Sequence, residues 1–155
     1  MNKVDVRAKL AELGLELPVA AVPVAAYVPA IRTGNIVFTA GQLPLVDGTM
    51  AGTGKVDGEI TPERAKELAQ ICALNCLAAV ATVADVNNIT KIVRVVGYVN
   101  GVPGYINAPV VVNGASELFL AIWGDGAKHA RSAVGIAELP LNSPIEIELT
   151  VEITD

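Results

Sequence analysis

The residues best equipped for chemistry lie near the end of the chain. His129-Ala130-Arg131-Ser132-Ala133-Val134-Gly135-Ile136-Ala137-Glu138-Leu139-Pro140 is followed closely by Ile145-Glu146-Ile147-Glu148. The pattern predicts two short strands joined by a turn, the first opening on a cation, the second alternating carboxylates with isoleucines. A guanidinium is a planar fork of donors that matches a carboxylate. An arginine at a strand mouth facing a strand of carboxylates is therefore a candidate grip for a small anionic ligand. Along the terminal strand Ile145, Ile147, Leu149, Val151 and Ile153 share one face, and Glu146, Glu148, Thr150 and Glu152 the other. The apolar face is expected to meet helices. The acidic face is either a solvated surface or the lining of a wet interface cavity in which Glu148 has a role.

Other reactive side chains read more plainly. Cys72 and Cys76 fall four apart, on one face of a helix. A zinc site would need two more ligands, and the single histidine is far away in sequence. Pairing within a regular helix is disfavoured by geometry. Buried reduced thiols acting as small hydrophobes fit better and suit a reducing, cytoplasmic setting. His129 shares a face with Arg131, two residues on, but packing is its simpler role. Trp123 reads as a packing residue too.

The chain has 155 residues and is read as a single domain, 1–155. Hydrophobic residues make up 52% and charged residues 17%, enough for a core and for a buried surface between copies. A net charge of −5 and a pI near 4.8 argue against a nucleic-acid partner, which needs a clustered basic face. They argue more weakly against an anionic membrane surface. No signal peptide is read at the start, and neither uncharged stretch is a continuous apolar run of spanning length.

The elements that must position Arg131 follow in order. Residues 1–14 are expected to be a helical appendage on the outside of the domain, stopped by Gly14. The proline-dense stretch 15–29 is expected to become an edge strand near residues 22–31. Arg32-Thr33-Gly34-Asn35 signals a turn into the strand Ile36-Val37-Phe38-Thr39-Ala40-Gly41, so the two segments form a hairpin. Residues 42–58 are a loop long enough to be functional. Thr61-Pro62 starts a helix that runs to about Ala84. Residues 91–100 form a strand with both faces expected to be largely buried. Residues 109–123 form a second helix. The sum is an α+β fold, a mixed sheet with two main helices on one face plus a short N-terminal helix.

Two separated stretches in this order resemble a known family. Gly34-Asn35-Ile36-Val37-Phe38-Thr39-Ala40-Gly41-Gln42-Leu43-Pro44 is similar to its hairpin strand, and Arg131 to Pro140 with Ile145-Glu146-Ile147-Glu148 is similar to its C-terminal signature. The family is that of the reactive-intermediate deaminases (Rid, or YjgF-like, also called endoribonuclease L-PSP). The resemblance covers about residues 19–153. It implies a chorismate-mutase-like fold, a homotrimer with a cleft at each subunit interface, and no cofactor. Archetypal members hydrolyse small enamines and imines to a 2-keto acid and ammonia.

Carried over residue by residue, the resemblance makes Arg131 the grip for a substrate carboxylate, Tyr27 a pocket wall and Glu148 the acid that handles the attacking water. It matches Asn113 to an asparagine at the start of the second helix. It places Ala133 where a cysteine is common and the backbone carbonyl does the work. The chain departs from the archetypes at Ala26-Tyr27-Val28-Pro29, in the longer segment 101–113, and at Trp123-Gly124-Asp125-Gly126, which marks a divergent subgroup. Two readings follow: an imine or enamine deaminase, or a non-catalytic trimeric binder of small carboxylates. A ribonuclease fits the acidic chain least.

Overall fold

The computed structural model describes residues 1, 3–20 and 26–154. Its main sheet has five strands: β1 (Ala30–Thr33), β2 (Ile36–Thr39), β5 (Ile89–Asn100), β6 (Ala130–Ile136) and β7 (Ile145–Ile153). Their order is β1-β2-β7-β5-β6. The pairs β1/β2, β2/β7 and β5/β7 are antiparallel and β5/β6 is parallel, so the sheet is mixed. Helices α2 (Pro62–Val80) and α3 (Ala108–Trp123) cover one face of it.

The topology corrects one expectation about the C-terminal strands. β6 and β7 are not neighbours, because β5 lies between them. β7 pairs antiparallel with β5 instead, from Ile153 opposite Ile89 to Ile145 opposite Val99. Arg131 pairs with Val95, which pairs with Leu149, a buried residue of the helix-covered face. Glu148 pairs across Val96 with Ser132, on the uncovered face. Directly opposed residues share a face. Arg131 therefore projects toward the helices and Glu148 away from them.

Strand β5 is also less enclosed than its apolar run predicts. Its helix-facing residues Ile92, Val95 and Val99 are buried, while Lys91 and Arg94 are exposed. The uncovered face carries Phe38 and Val134, each 45% exposed, and Ile31 at 59%. The apolar residues of β5 thus have a partner on one side only within a single chain.

Local chemistry explains the element ends. Thr61 accepts a hydrogen bond from the Arg64 amide at 3.2 Å and Pro62 begins α2, as the sequence predicts. Gly34, at φ 56°, makes the two-residue turn between β1 and β2. The short α1 (Val6–Glu12) is no loose appendage: Val6 and Leu10 are fully buried. The expected edge strand begins only at Ala30, and its residues 22–25 lie outside the described residues. Loop 42–58 contains a small hairpin, β3 (Leu45–Val46) with β4 (Thr49–Met50), turning at Asp47-Gly48 with φ 50° and 78°.

Two glycines set where α3 rests. A Cβ on Gly114 would overlap the Lys66 carbonyl of α2, and a Cβ on Gly97 of β5 would overlap Val112. Their bareness lets α3 press onto both α2 and the sheet. That close seat brings Asn113 and Ser116 beside Arg131. Among the described residues, no helix is long and apolar enough to cross a membrane.

Candidate functional site

The candidate residues assemble in two places. The first is at the β6 edge. Arg131 is exposed, and its Nη1 donates to Asn113 Oδ1 at 2.8 Å and to Ser116 Oγ at 3.1 Å. Its Nη2 makes a long contact of 3.5 Å with the Pro109 carbonyl. All three partners belong to the first turns of α3, and all are neutral. They fix the guanidinium without cancelling its charge, leaving it free to attract an anion. Ala133, two residues along the same edge strand, packs its methyl against the core.

His129 belongs to this cluster. Its Nε2 lies 3.0 Å from Ser116 Oγ and its Nδ1 2.7 Å from the Ala127 carbonyl oxygen. The Phe119 ring meets it edge-on, with centroids 6.1 Å apart. Burial lowers the pKa of the imidazole, Arg131 lowers it further, and the Ala127 carbonyl partly opposes both. Ser116 was not anticipated from the sequence. Its spacing gives a usable sign, because 113 and 116 are one helical turn apart and so face the same neighbour.

The second place is a cavity of about 1130 Å³ at the far side of the sheet. Tyr27, Gly41, Gln42, Asn75 and Glu146 contribute to its wall, together with Leu43 and Leu45 from the long loop. Gln42 exchanges two backbone hydrogen bonds with Ile147, at 2.8 and 3.0 Å, which holds the chain beyond β2 against β7. Asn75 of α2 donates to the carbonyls of Leu43 and Leu45 at 2.9 and 3.0 Å, pinning the loop.

Glu146, rather than Glu148, is the β7 carboxylate that lines this cavity, whose wall also carries Glu16 and Asp47. Its carboxylate rests where a side chain on Gly41 would otherwise sit. Burial raises its pKa, and the nearby charge of Glu148 adds to the rise. It therefore keeps a proton to higher pH than an ordinary carboxylate. Glu148 lies beside Tyr98 on the open sheet face. The Tyr98 phenol is pushed up by burial and by its charged, hydrogen-bonded contact with Glu148.

The predicted set is thus divided within one chain. Arg131, Asn113 and Ala133 gather at the β6 edge, Tyr27 lines the cavity, and Glu148 is in neither group. Arg131 and the β7 acids are two strand spacings apart, roughly 10 Å, and on opposite faces. No one small molecule can touch both within a single subunit. The two cysteines are apart from both places: Cys76 Sγ donates to the Ile147 carbonyl at 3.4 Å, and burial raises both thiol pKa values, keeping them protonated.

Residues 7–153 match the family model described as "YjgF/chorismate mutase-like, putative endoribonuclease". Protein TCP17 of Trypanosoma cruzi is 34% identical over 152 residues, spanning 97% of this chain and 95% of that protein. Among solved structures, the Agrobacterium tumefaciens protein Atu1372, of unknown function, is 40% identical with a TM-score of 0.88, covering 96% of this chain and 92% of that one. A "putative endoribonuclease" from Shewanella oneidensis MR-1 is 28% identical with a TM-score of 0.89, covering 94% and 97%.

Proposed function

The chain belongs to the YjgF/chorismate mutase-like, or Rid-like, family, and from that premise we propose that it hydrolyses small 2-imino acids, or their enamine tautomers, to 2-keto acids and ammonia. The observation that carries this reading is the exposed Arg131 guanidinium, held in place by neutral partners and unpaired with any carboxylate among the described residues. Such a group suits the carboxylate that every 2-imino acid carries. Water adds to the electrophilic imine carbon, and the carbinolamine collapses to the ketone as ammonia leaves. No cofactor is required.

Glu146 is the group we assign to the proton transfers, in place of Glu148. Its raised pKa lets it deprotonate the attacking water and return that proton to the departing nitrogen. The Tyr27 side chain walls the same cavity. Since Arg131 stands away from that cavity, the complete site in this reading is made between subunits, with the β6 edge of one closing the cavity of the next. A homotrimer would bury the open sheet face and its exposed Ile31, Phe38 and Val134. Arg131 sets the ligand class as a small carboxylate, and a net charge of −5 weighs against RNA.

The test generates imino acids in situ with an amino-acid oxidase and follows semicarbazone formation. The protein should suppress the semicarbazone signal by consuming the imine. No effect on any imine, together with measurable binding of pyruvate, would leave a non-catalytic carboxylate binder. That second reading rests on the clamp being complete without Glu146. Sedimentation should give three copies per particle, and a monomer would remove the intersubunit site.

A further inference from the structure

The hydrogen bonds around Arg131 fix which edge of the guanidinium is open. His129 Nδ1 lies 2.7 Å from the Ala127 carbonyl oxygen. A carbonyl oxygen can only accept, so Nδ1 carries the proton and Nε2 of the neutral ring is a bare acceptor. Ser116 Oγ, 3.0 Å from Nε2, therefore donates its single hydrogen to the ring. Its lone pairs are then left for Arg131 Nη1 at 3.1 Å. The other Nη1 hydrogen goes to Asn113 Oδ1 at 2.8 Å. Both Nη1 hydrogens are committed. Along the Nε–Nη2 edge the hydrogen bonding among the described residues amounts to the 3.5 Å contact with Pro109.

We propose that His129 and Ser116 are positioning residues that turn the Arg131 guanidinium so that its Nε–Nη2 edge takes a ligand carboxylate side-on. The inference rests on the reading of Arg131 as the carboxylate clamp. The backbone carbonyl of Ala127 chooses the imidazole tautomer, the imidazole chooses the hydroxyl direction, and the hydroxyl presents lone pairs to Nη1. Without the imidazole the hydroxyl hydrogen could turn toward the guanidinium, where it repels. Without the hydroxyl one Nη1 hydrogen is unpaired, and the fork can rotate away from the side-on pose. Phe119 packs edge-on against the imidazole and holds it in register.

The chain has one histidine, so its imidazole ¹H–¹⁵N spectrum reports this position alone. The free protein should show the neutral Nδ1–H tautomer near pH 7.5, and saturating pyruvate should shift both ring nitrogens. Ser116→Ala and His129→Phe should each weaken pyruvate binding and raise KM about tenfold, as loss of one hydrogen bond to a charged group does, with kcat within about twofold. Ser116→Thr, which keeps the hydroxyl, should stay near wild type. The double variant should be little worse than either single one, because the two residues act in series. An Nε2–H tautomer in the free protein would overturn the inference even if the variants fail to fold. So would wild-type pyruvate affinity in both variants while Arg131→Ala loses it, which leaves the clamp standing. Undiminished pyruvate binding by Arg131→Ala would instead sink the clamp reading and this inference together.

Discussion

Arg131 and Glu146 carry opposite charges and are housed in opposite ways. The guanidinium is exposed and is held by three neutral partners, all from the first turns of the adjacent helix. The carboxyl is half-buried, seated against Gly41 from the other end of the chain, with a second carboxylate nearby. A charge that must attract a ligand keeps its full field when its neighbours are dipoles rather than counter-ions. A group that must trade protons works best when its surroundings move its pKa toward the working pH. In the proposed function the first region binds and the second reacts.

Removing the binding half should have the largest effect. Arg131→Ala is expected to lower kcat/KM for an imino acid, and affinity for pyruvate, at least about a hundredfold. Arg131→Lys should recover little of it, because an ammonium cannot offer two parallel donors. Full recovery with lysine would mean that a point charge suffices. The next largest effect tests the reactive half. Glu146→Gln should reduce kcat about a hundredfold or more with KM little changed, whereas Glu148→Gln should cost less than about fivefold. The reverse order would move the proton chemistry to the acid beside Tyr98.

How legible these two regions were follows from the range of their contacts. The Arg131 cluster lies within residues 109–131, and a strand after a helix predicts that they meet. Arg131 and Asn113, both named from the resemblance, do meet, whereas Ser116 is not named by it. The cavity depends on pairings that no local pattern encodes. Glu146 and Glu148 are equivalent in the alternation of β7, and only the approach of Gly41 and Gln42 distinguishes them. The interposed β5 was hidden for a similar reason. Two strands close in sequence pair most often, yet here the last strand crosses the end of β5 to lie beside β2. The hairpin in the long loop is signalled by Asp47-Gly48, a pair that favours positive φ.

Gly41→Ala gives a smaller, more specific break in the comparison. Its Cβ would overlap the Glu146 carboxylate, a side-chain end that can move aside. The fold should survive, with a melting temperature within about 2 °C of wild type, while the displaced acid lowers kcat about tenfold. Pyruvate affinity, which depends on Arg131, should hold. Loss of binding in this variant would show that the two regions are coupled more tightly than their separation on one chain implies.

The smallest effect is on stability, and its sign follows from the pKa of Glu146. Burial first, and the charge of Glu148 second, raise that pKa above its unfolded value. Below the ordinary carboxylate range both states are protonated and the site costs nothing. As pH rises through that range the unfolded chain ionises first, which draws the equilibrium toward unfolding, and the loss is complete once pH passes the folded pKa. Glu146→Gln cannot ionise. Its denaturation midpoint should match wild type near pH 4 and exceed it near pH 7, the variant being more stable where it is less active. Glu148→Gln removes the second cause of the shift and should narrow the gap on adding Glu146→Gln. A Glu146→Gln advantage that is the same at both pH values would mean the carboxyl is not held above its ordinary range, and the division between an exposed binding charge and a half-buried reacting one would lose its reacting half.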